Sequence, residues 1–222
     1  NVDTGEEKME IVYQRDGDWH GITAQRSVVF TAHSITSLAD RGLMVNSENA
    51  KPLVKYLAEA EAENLDLLEV CRSTSHLGWV GSTAFLPGME NGVVFDPAGP
   101  GDQAIANCYT VAGDEAEWLN LANKVRQYPL ARFALAASFA APLLDRIGQR
   151  PFIVHLWGMS RGGKTAALKL ALSVWGDPEG LIASFNTTKV GLERLAALYS
   201  DLPLGVDERQ VAGDNKAFVE SL

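Results

Sequence analysis

Cysteine is scarce in this chain: Cys71 and Cys108 are the only two, neither lies in a Cys/His pattern with metal-ligand spacing, and only four histidines accompany them. That excludes disulfide-framework and zinc-ribbon folds and points to a reduced compartment, the cytoplasm. No apolar run reaches the roughly 18 residues that a membrane helix needs; the longest candidate, Phe133 to Leu144, suits a buried helix. A membrane-spanning role is therefore not expected. A signal-peptide pattern, an internal repeat and a low-complexity tract are also missing. Basic residues are outnumbered, with 19 Lys and Arg against 28 Asp and Glu for a net charge of −9, which on average disfavours nucleic acid.

The charge is unevenly spread. From Asn123 to Leu170 stand Lys124, Arg126, Arg132, Arg146, Arg150, Arg161, Lys164 and Lys169 against Asp145 alone, a local charge of +7 that leaves −16 for the rest. Such asymmetry marks either a polyanion-facing side or a set of solvated basic helix faces. With 222 residues, 46% of them hydrophobic, the chain can bury a sizeable core in one or two domains. It starts at Asn1 rather than Met and stops inside the helix-like run Asn215 to Leu222, so it reads as a piece of something longer or as a processed chain.

Against that background one motif stands out. Gly158-Met-Ser-Arg-Gly-Gly-Lys-Thr165 matches the pattern G-x-x-x-x-G-K-[ST] of a phosphate-binding loop, or Walker A motif. Glycines let consecutive backbone N–H groups turn toward a phosphate, the lysine neutralises β/γ-phosphate charge, and the hydroxyl ligates Mg²⁺. The nucleotide-binding set is Gly158, Ser160, Arg161, Gly162, Gly163, Lys164, Thr165 and Ala166, with ATP as the ligand. Pro151 to Trp157 reads as a buried parallel strand entering the loop, and Ala166 to Trp175 as a helix leaving it, stopped by Gly176-Asp-Pro178.

Two further strands are expected, Leu181 to Phe185 and Leu202 to Val206, with a helix over Lys189 to Tyr199 between them. The alternation β-α-β-α-β predicts a parallel sheet with right-handed crossovers. Asp207 and Glu208 follow the last strand in the manner of a Walker B motif. Thr165 and Asp207 are the expected Mg²⁺ residues; Lys164 and Glu208 are the expected catalytic ones, Glu208 as the base that activates water. An acid pair after a strand also serves as plain turn or cap chemistry. Thr188 caps the helix that follows it or, with Asn186 and Thr187, touches γ-phosphate, water or DNA. Arg161 and Arg209 flank the two motifs, within reach of phosphate or a neighbouring subunit.

The expected fold class is α/β: a P-loop NTPase parallel-sheet domain of RecA/AAA+-like form, ending early, at residues 150–222. A small α+β domain precedes it at residues 1–112, and a helical connector lies at residues 113–149. In the first part, β-like runs at Met9–Tyr13, Arg26–Ala32, Leu68–Arg72, Leu77–Val80 and Gly92–Phe95 surround a helix over Ala50–Ala62 capped by Ser47 or Asn49. In the connector, Asp114 opens a helix to about Tyr128, and Pro129 begins another, Leu130 to Ile147, ended by Gly148.

Gly78-Trp-Val80, Glu117-Trp118, Ala141-Pro-Leu-Leu144, the loop Gly158–Thr165, Ala171-Leu-Ser-Val-Trp-Gly176, Thr188–Glu193 and Asp201-Leu-Pro-Leu-Gly-Val-Asp-Glu208 together resemble the family known as domain of unknown function 927. The resemblance covers most of the chain. Members occur in primase-helicase-like proteins of phages, plasmids and integrated elements. It therefore implies the ATPase of a replication helicase acting on single-stranded or duplex DNA, in company with a primase module. Motors of this kind commonly hydrolyse ATP between subunits, which implies a homo-oligomeric ring and sensor and arginine-finger residues beyond Leu222. The chain departs from the family pattern at Arg161-Gly162 and at Gly205, where a larger residue is expected. Two other readings stay open: a nucleotide-binding module with little turnover, and a P-loop small-molecule kinase.

Overall fold

In the computed structural model, which describes residues 1–159, 161–184 and 188–207, the chain falls into two compact units, Asn1–Ser73 and Thr74–Leu222. The break expected near residue 112 falls inside the second unit.

The first unit opens with a hairpin. Asp16 and Gly17 both take positive φ, 54° and 91°, the requirement of a two-residue type I′ turn. That turn sets the register of β1 (Lys8–Arg15) against β2 (Asp18–Gln25), with Ile11 opposite Ile22 and Tyr13 opposite His20. Ile11, Ile22 and Ala24 supply the apolar face, and Val29, Ile35, Leu38, Leu43, Val45 and Ala50 complete the core. The strand expected over Arg26–Ala32 is instead the short helix α1 (Arg26–Val29). The hairpin register is exhausted at Gln25, and the Val-Val-Phe run is buried by the turn rather than by a ladder. Arg26 anchors the turn, with two hydrogen bonds to the Glu61 carboxylate at 2.5 and 3.0 Å and its guanidinium over the Phe30 ring. Glu61 belongs to α2 (Ala50–Glu63). Neither expected cap acts on that helix: the Asn49 side chain turns back, accepting from the Asn46 amide and donating to the Met44 carbonyl. The strand β3 (Arg72–Thr74) lies at the division between the units.

In the second unit β4 (Gly78–Val80) and β5 (Ala84–Leu86) form an antiparallel hairpin, followed by β6 (Val93–Phe95) and α3 (Pro100–Ala106). Their apolar residues do not make a core of their own. Leu77, Val80, Ala84, Leu86 and Val93 pack with Leu198, Tyr199 and Leu202 from the end of the chain, and the Leu77 amide donates to the Leu198 carbonyl at 2.7 Å. Two longer helices follow, α4 (Glu115–Val125) and α5 (Pro129–Leu144). The Asp114 carboxylate caps α4 by accepting from the Glu117 amide, and Gly148, at φ 66°, ends the 3₁₀ turn that prolongs α5.

Beyond the loop come α6 (Lys164–Leu172), α7 (Pro178–Leu181), β7 (Ile182–Ser184), α8 (Lys189–Tyr199) and β8 (Gly205–Asp207). β7 and β8 run parallel, Ile182 beside Gly205 and Ser184 beside Asp207. The architecture is thus mixed α/β, as expected, but a three-stranded parallel sheet is not formed among the described residues. Residues 151–157 are not a strand. β7 and β8 pair with each other, and Phe152 and Ile153, expected to be buried, are 54% and 75% exposed. An apolar run becomes a central strand only when neighbours supply ladder bonds and covered faces. Among the described residues, no helix is long and apolar enough to cross a membrane.

Candidate nucleotide site

The loop takes its shape from three left-handed residues. Gly158 has φ 147°, Gly163 has φ 79°, and Arg161 has φ 65°. Glycine takes such angles freely, whereas Arg161 holds its conformation at a cost of about 1–2 kcal/mol. The chain thereby folds back, the Gly162 amide donating to the Met159 carbonyl at 3.2 Å, and α6 begins at Lys164. The lysine side chain reaches over the loop. Its Nζ donates to the carbonyls of Gly158 and Met159 at 3.0 and 2.9 Å, so the ammonium is held centrally by weak neutral acceptors. Such acceptors are readily exchanged for charged oxygens, with which a hydrogen bond is roughly twice as strong.

Thr165, one residue further, joins the two halves of the site. Its Oγ1 donates to Asp207 Oδ2 at 3.0 Å, across 42 positions of sequence. Asp207 ends β8, so its carboxylate sits at the carboxyl edge of the parallel pair, where open α/β sheets bind ligands. Gly205 explains how β8 comes so close to α6. A Cβ there would lie 2.5 Å from Leu172 Cδ1 and 3.2 Å from Leu168 Cδ1, and Leu172 is itself fully buried. Glycine at this position, where a larger residue is expected, lets the helix approach. The side chains fit a nucleotide with its magnesium: the Lys164 ammonium complements phosphate charge, and the Thr165 hydroxyl and Asp207 carboxylate are hard oxygen donors, matching Mg²⁺, which takes only one or two protein oxygens beside water and phosphate. Of the other expected site residues, Ala166 lies exposed in the first turn of α6. Ser160, Glu208, Asn186, Thr187 and Arg209 lie outside the described residues. Thr188 acts as the cap of α8, its Oγ1 accepting from the Gly191 amide at 3.2 Å.

Behind the loop, α6 is held by hydroxyls and indoles. Ser138, buried in α5, donates to the Ala171 carbonyl at 2.6 Å and accepts from Trp175 Nε1 at 2.9 Å. Trp118 of α4 donates from Nε1 to Ser173 Oγ at 3.1 Å, and Ser173 donates to the Leu170 carbonyl. A second node fixes β4. Asp201 accepts the Trp79 amide at 2.9 Å, Trp79 Nε1 donates to the Pro142 carbonyl at 2.7 Å, and Arg146 stacks 3.9 Å over the Trp79 ring. Gly78 permits this approach: its φ is 92°, and a Cβ would meet Asp201 Oδ2 at 2.9 Å. Sequence reasoning gave Trp118 no partner, and it missed Ser138 and the Asp102–Arg194 pair at 2.9 Å. The available signal was the indole N–H, which takes a hydrogen-bond acceptor when buried.

These features define a mixed α/β protein in which a glycine-rich loop, the helix it opens and an aspartate-ended parallel strand meet at one edge. The chain belongs to the family described as Domain of unknown function (DUF927), whose model matches residues 1–220. The segments that carried the resemblance are largely those just assembled: Gly78-Trp79, Trp118, Pro142, Ser173 to Gly176 and Asp201. No curated protein matches the chain. Among solved structures it is similar in fold to one titled "SCCmec type IV Cch - active helicase", with a TM-score of 0.60 and 22% identity over 87% of this chain. The match spans 39% of that structure's chain.

Proposed function

We propose that the chain is a Mg²⁺-dependent ATP-binding and hydrolysing domain, the motor part of a DNA helicase or primase-helicase that serves replication of a mobile element or phage in the cytoplasm. One observation carries the nucleotide half of this reading: Thr165 and Asp207 meet at 3.0 Å beside Lys164, joining a Walker A loop to the acid expected to serve it. The helicase half leans on the shared fold and on family membership.

When bound, ATP with Mg²⁺ supplies the transferable phosphoryl group and the cation that neutralises its oxygens. Lys164 exchanges the carbonyls of Gly158 and Met159 for phosphate oxygens. The backbone amides of Gly163, Lys164 and Thr165 are the donors proposed for the same group, with Ser160, Arg161, Gly162 and Ala166 completing the loop's contribution. Thr165 Oγ1 and Asp207 would hold the metal, Asp207 mainly through water, and Glu208 would take the proton of the attacking water. A homo-oligomeric ring supplies an arginine from a neighbour, and a primase module accompanies the motor. Domain limits at residues 113–149 for the connector and 150–222 for the nucleotide part belong to the same proposal.

The test is steady-state phosphate release from ATP, with and without single-stranded DNA, for the chain and for Asp207→Asn. Release stimulated by DNA and abolished in the variant is expected. Nucleotide binding without release would reassign the chain as a binding module, and release only in the presence of a small acceptor would reassign it as a kinase.

A further inference from the structure

The corner between α4 and α5 gathers charge and aromatic surface that the nucleotide site does not use. Lys124 stands in the last turn of α4, Arg126 just after it and Arg132 in the opening of α5, all exposed, and none makes an ion pair or side-chain hydrogen bond among the described residues. The whole stretch from Trp118 to Leu144 contains no acidic residue, in a protein whose net charge is −9. Between and beside these cations two rings face solvent, Tyr128 61% and Phe133 54% exposed.

Helix electrostatics account for only part of this. Lys124 and Arg126 complement the negative end of α4, as the acids Glu115 and Glu117 complement its start. Arg132 does the opposite, because it places a cation near the positive end of α5, where no acid is found in the first turn. An unpaired cation kept against the local field, with exposed rings beside it, is the composition of a surface for single-stranded nucleic acid. Cations track the phosphates, and rings stack on unpaired bases. The exposed amides of Asn123 and Gln127 add hydrogen-bonding groups suited to base edges.

We propose that the α4–α5 corner, through Lys124, Arg126, Arg132, Tyr128 and Phe133, binds single-stranded nucleic acid. The proposal rests on the reading that the chain acts on DNA, and it gives that partner a place on the molecule. Three phosphate contacts predict a slope of about −2 in log affinity against log salt from this surface alone.

The experiment is fluorescence anisotropy of a labelled oligothymidylate strand with the whole chain and no nucleotide, over a salt series. Two variants are compared, Lys124→Gln/Arg126→Gln/Arg132→Gln and Tyr128→Ala/Phe133→Ala. Both change exposed side chains, and circular dichroism checks that they fold. The charge variant is expected to bind at least about tenfold more weakly at 50 mM salt and to flatten the slope by about 2. The ring variant is expected to lose about fivefold or more with its slope unchanged, and ATP affinity by calorimetry stays within twofold in both. Wild-type affinity and slope in the charge variant would overturn the proposal. So would tighter binding to duplex than to single strand, unaffected by the ring changes, or displacement of the strand by phosphatidylserine vesicles. Failure of the unmodified chain to bind any strand would overturn both this surface and the DNA half of the function. Strand binding by a chain that takes no ATP would overturn the nucleotide half alone.

Discussion

Ser138→Ala should destabilise the second unit by an amount that can be worked out from its contacts. The hydroxyl is 4% exposed and makes two hydrogen bonds, one to the Ala171 carbonyl and one from Trp175 Nε1. Each is worth about 1 kcal/mol net. Alanine offsets a few tenths through its higher helix propensity, so the expected loss is about 1.5 kcal/mol. For a unit of this size that lowers Tm by roughly 3–6 °C. Trp175→Phe removes the donor of one of those bonds and should cost more in total, because ring area is lost as well. The double variant tests the bond itself: it should be less destabilised than the two single changes added together, by about 1 kcal/mol. Thermal and urea unfolding followed by circular dichroism measure all three variants. A Tm within about 1 °C of wild type for Ser138→Ala, or strict additivity in the cycle, would refute the assignment of Ser138 as the polar link between α5 and α6.

Gly78→Ala should cost about 3 kcal/mol, since it combines a left-handed backbone angle with a Cβ 3.0 Å from the Asp201 backbone nitrogen; urea unfolding close to wild type would contradict that. Lys164→Ala should abolish tight ATP binding, and calorimetry that finds unchanged affinity would remove the Walker A assignment. Burial pushes the Tyr199 hydroxyl up to about 12 and pushes Tyr109 still higher. Both groups favour the protonated form when folded, so their contribution is fully present below pH 10, the ordinary tyrosine range, and is lost as pH rises toward 12. Unfolding free energies from urea titrations that are level up to pH 9.5 and then fall, by at most about 1.4 kcal/mol per pH unit for each tyrosine, are expected; a level profile to pH 11.5 would show that neither hydroxyl is shielded from water.

The parts of the site that were legible in the sequence are those whose chemistry demands fixed spacing. Gly158, Gly163, Lys164 and Thr165 follow from one motif, and Asp207 from an acid placed directly after an apolar run. Their meeting across 42 positions needed the fold. Elements defined by their neighbours were harder to read. Residues 151–157 have the composition of a strand but no ladder among the described residues, and Arg26–Ala32 has β-branched residues that the hairpin register leaves to a turn. The hairpin itself is signalled by Asp16-Gly17, a strong two-residue turn pattern. Trp118–Ser173 and Trp79–Pro142 join residues 55 and 63 positions apart, and no local pattern announces such pairs. Gly205 departs from what a strand expects because strand propensity concerns the strand alone; the helix packed on it reverses the sign.

Trp157 is 85% exposed and immediately precedes Gly158, while Trp118 and Trp175 are hydrogen-bonded to serine hydroxyls at the far end of the helix that the loop opens. The molecule therefore carries its own optical probes at both ends of one rigid rod. Light emitted from Trp157 reports the polarity around the loop, and light from the other two reports whether α6 keeps its seat. Trp19, 70% exposed, and Trp79 emit as well, so spectra of Trp157→Phe and Trp175→Phe variants assign the changes: a ligand-induced shift lost only with Trp157 marks movement of the loop alone, and one that also depends on Trp175 marks displacement of the whole helix.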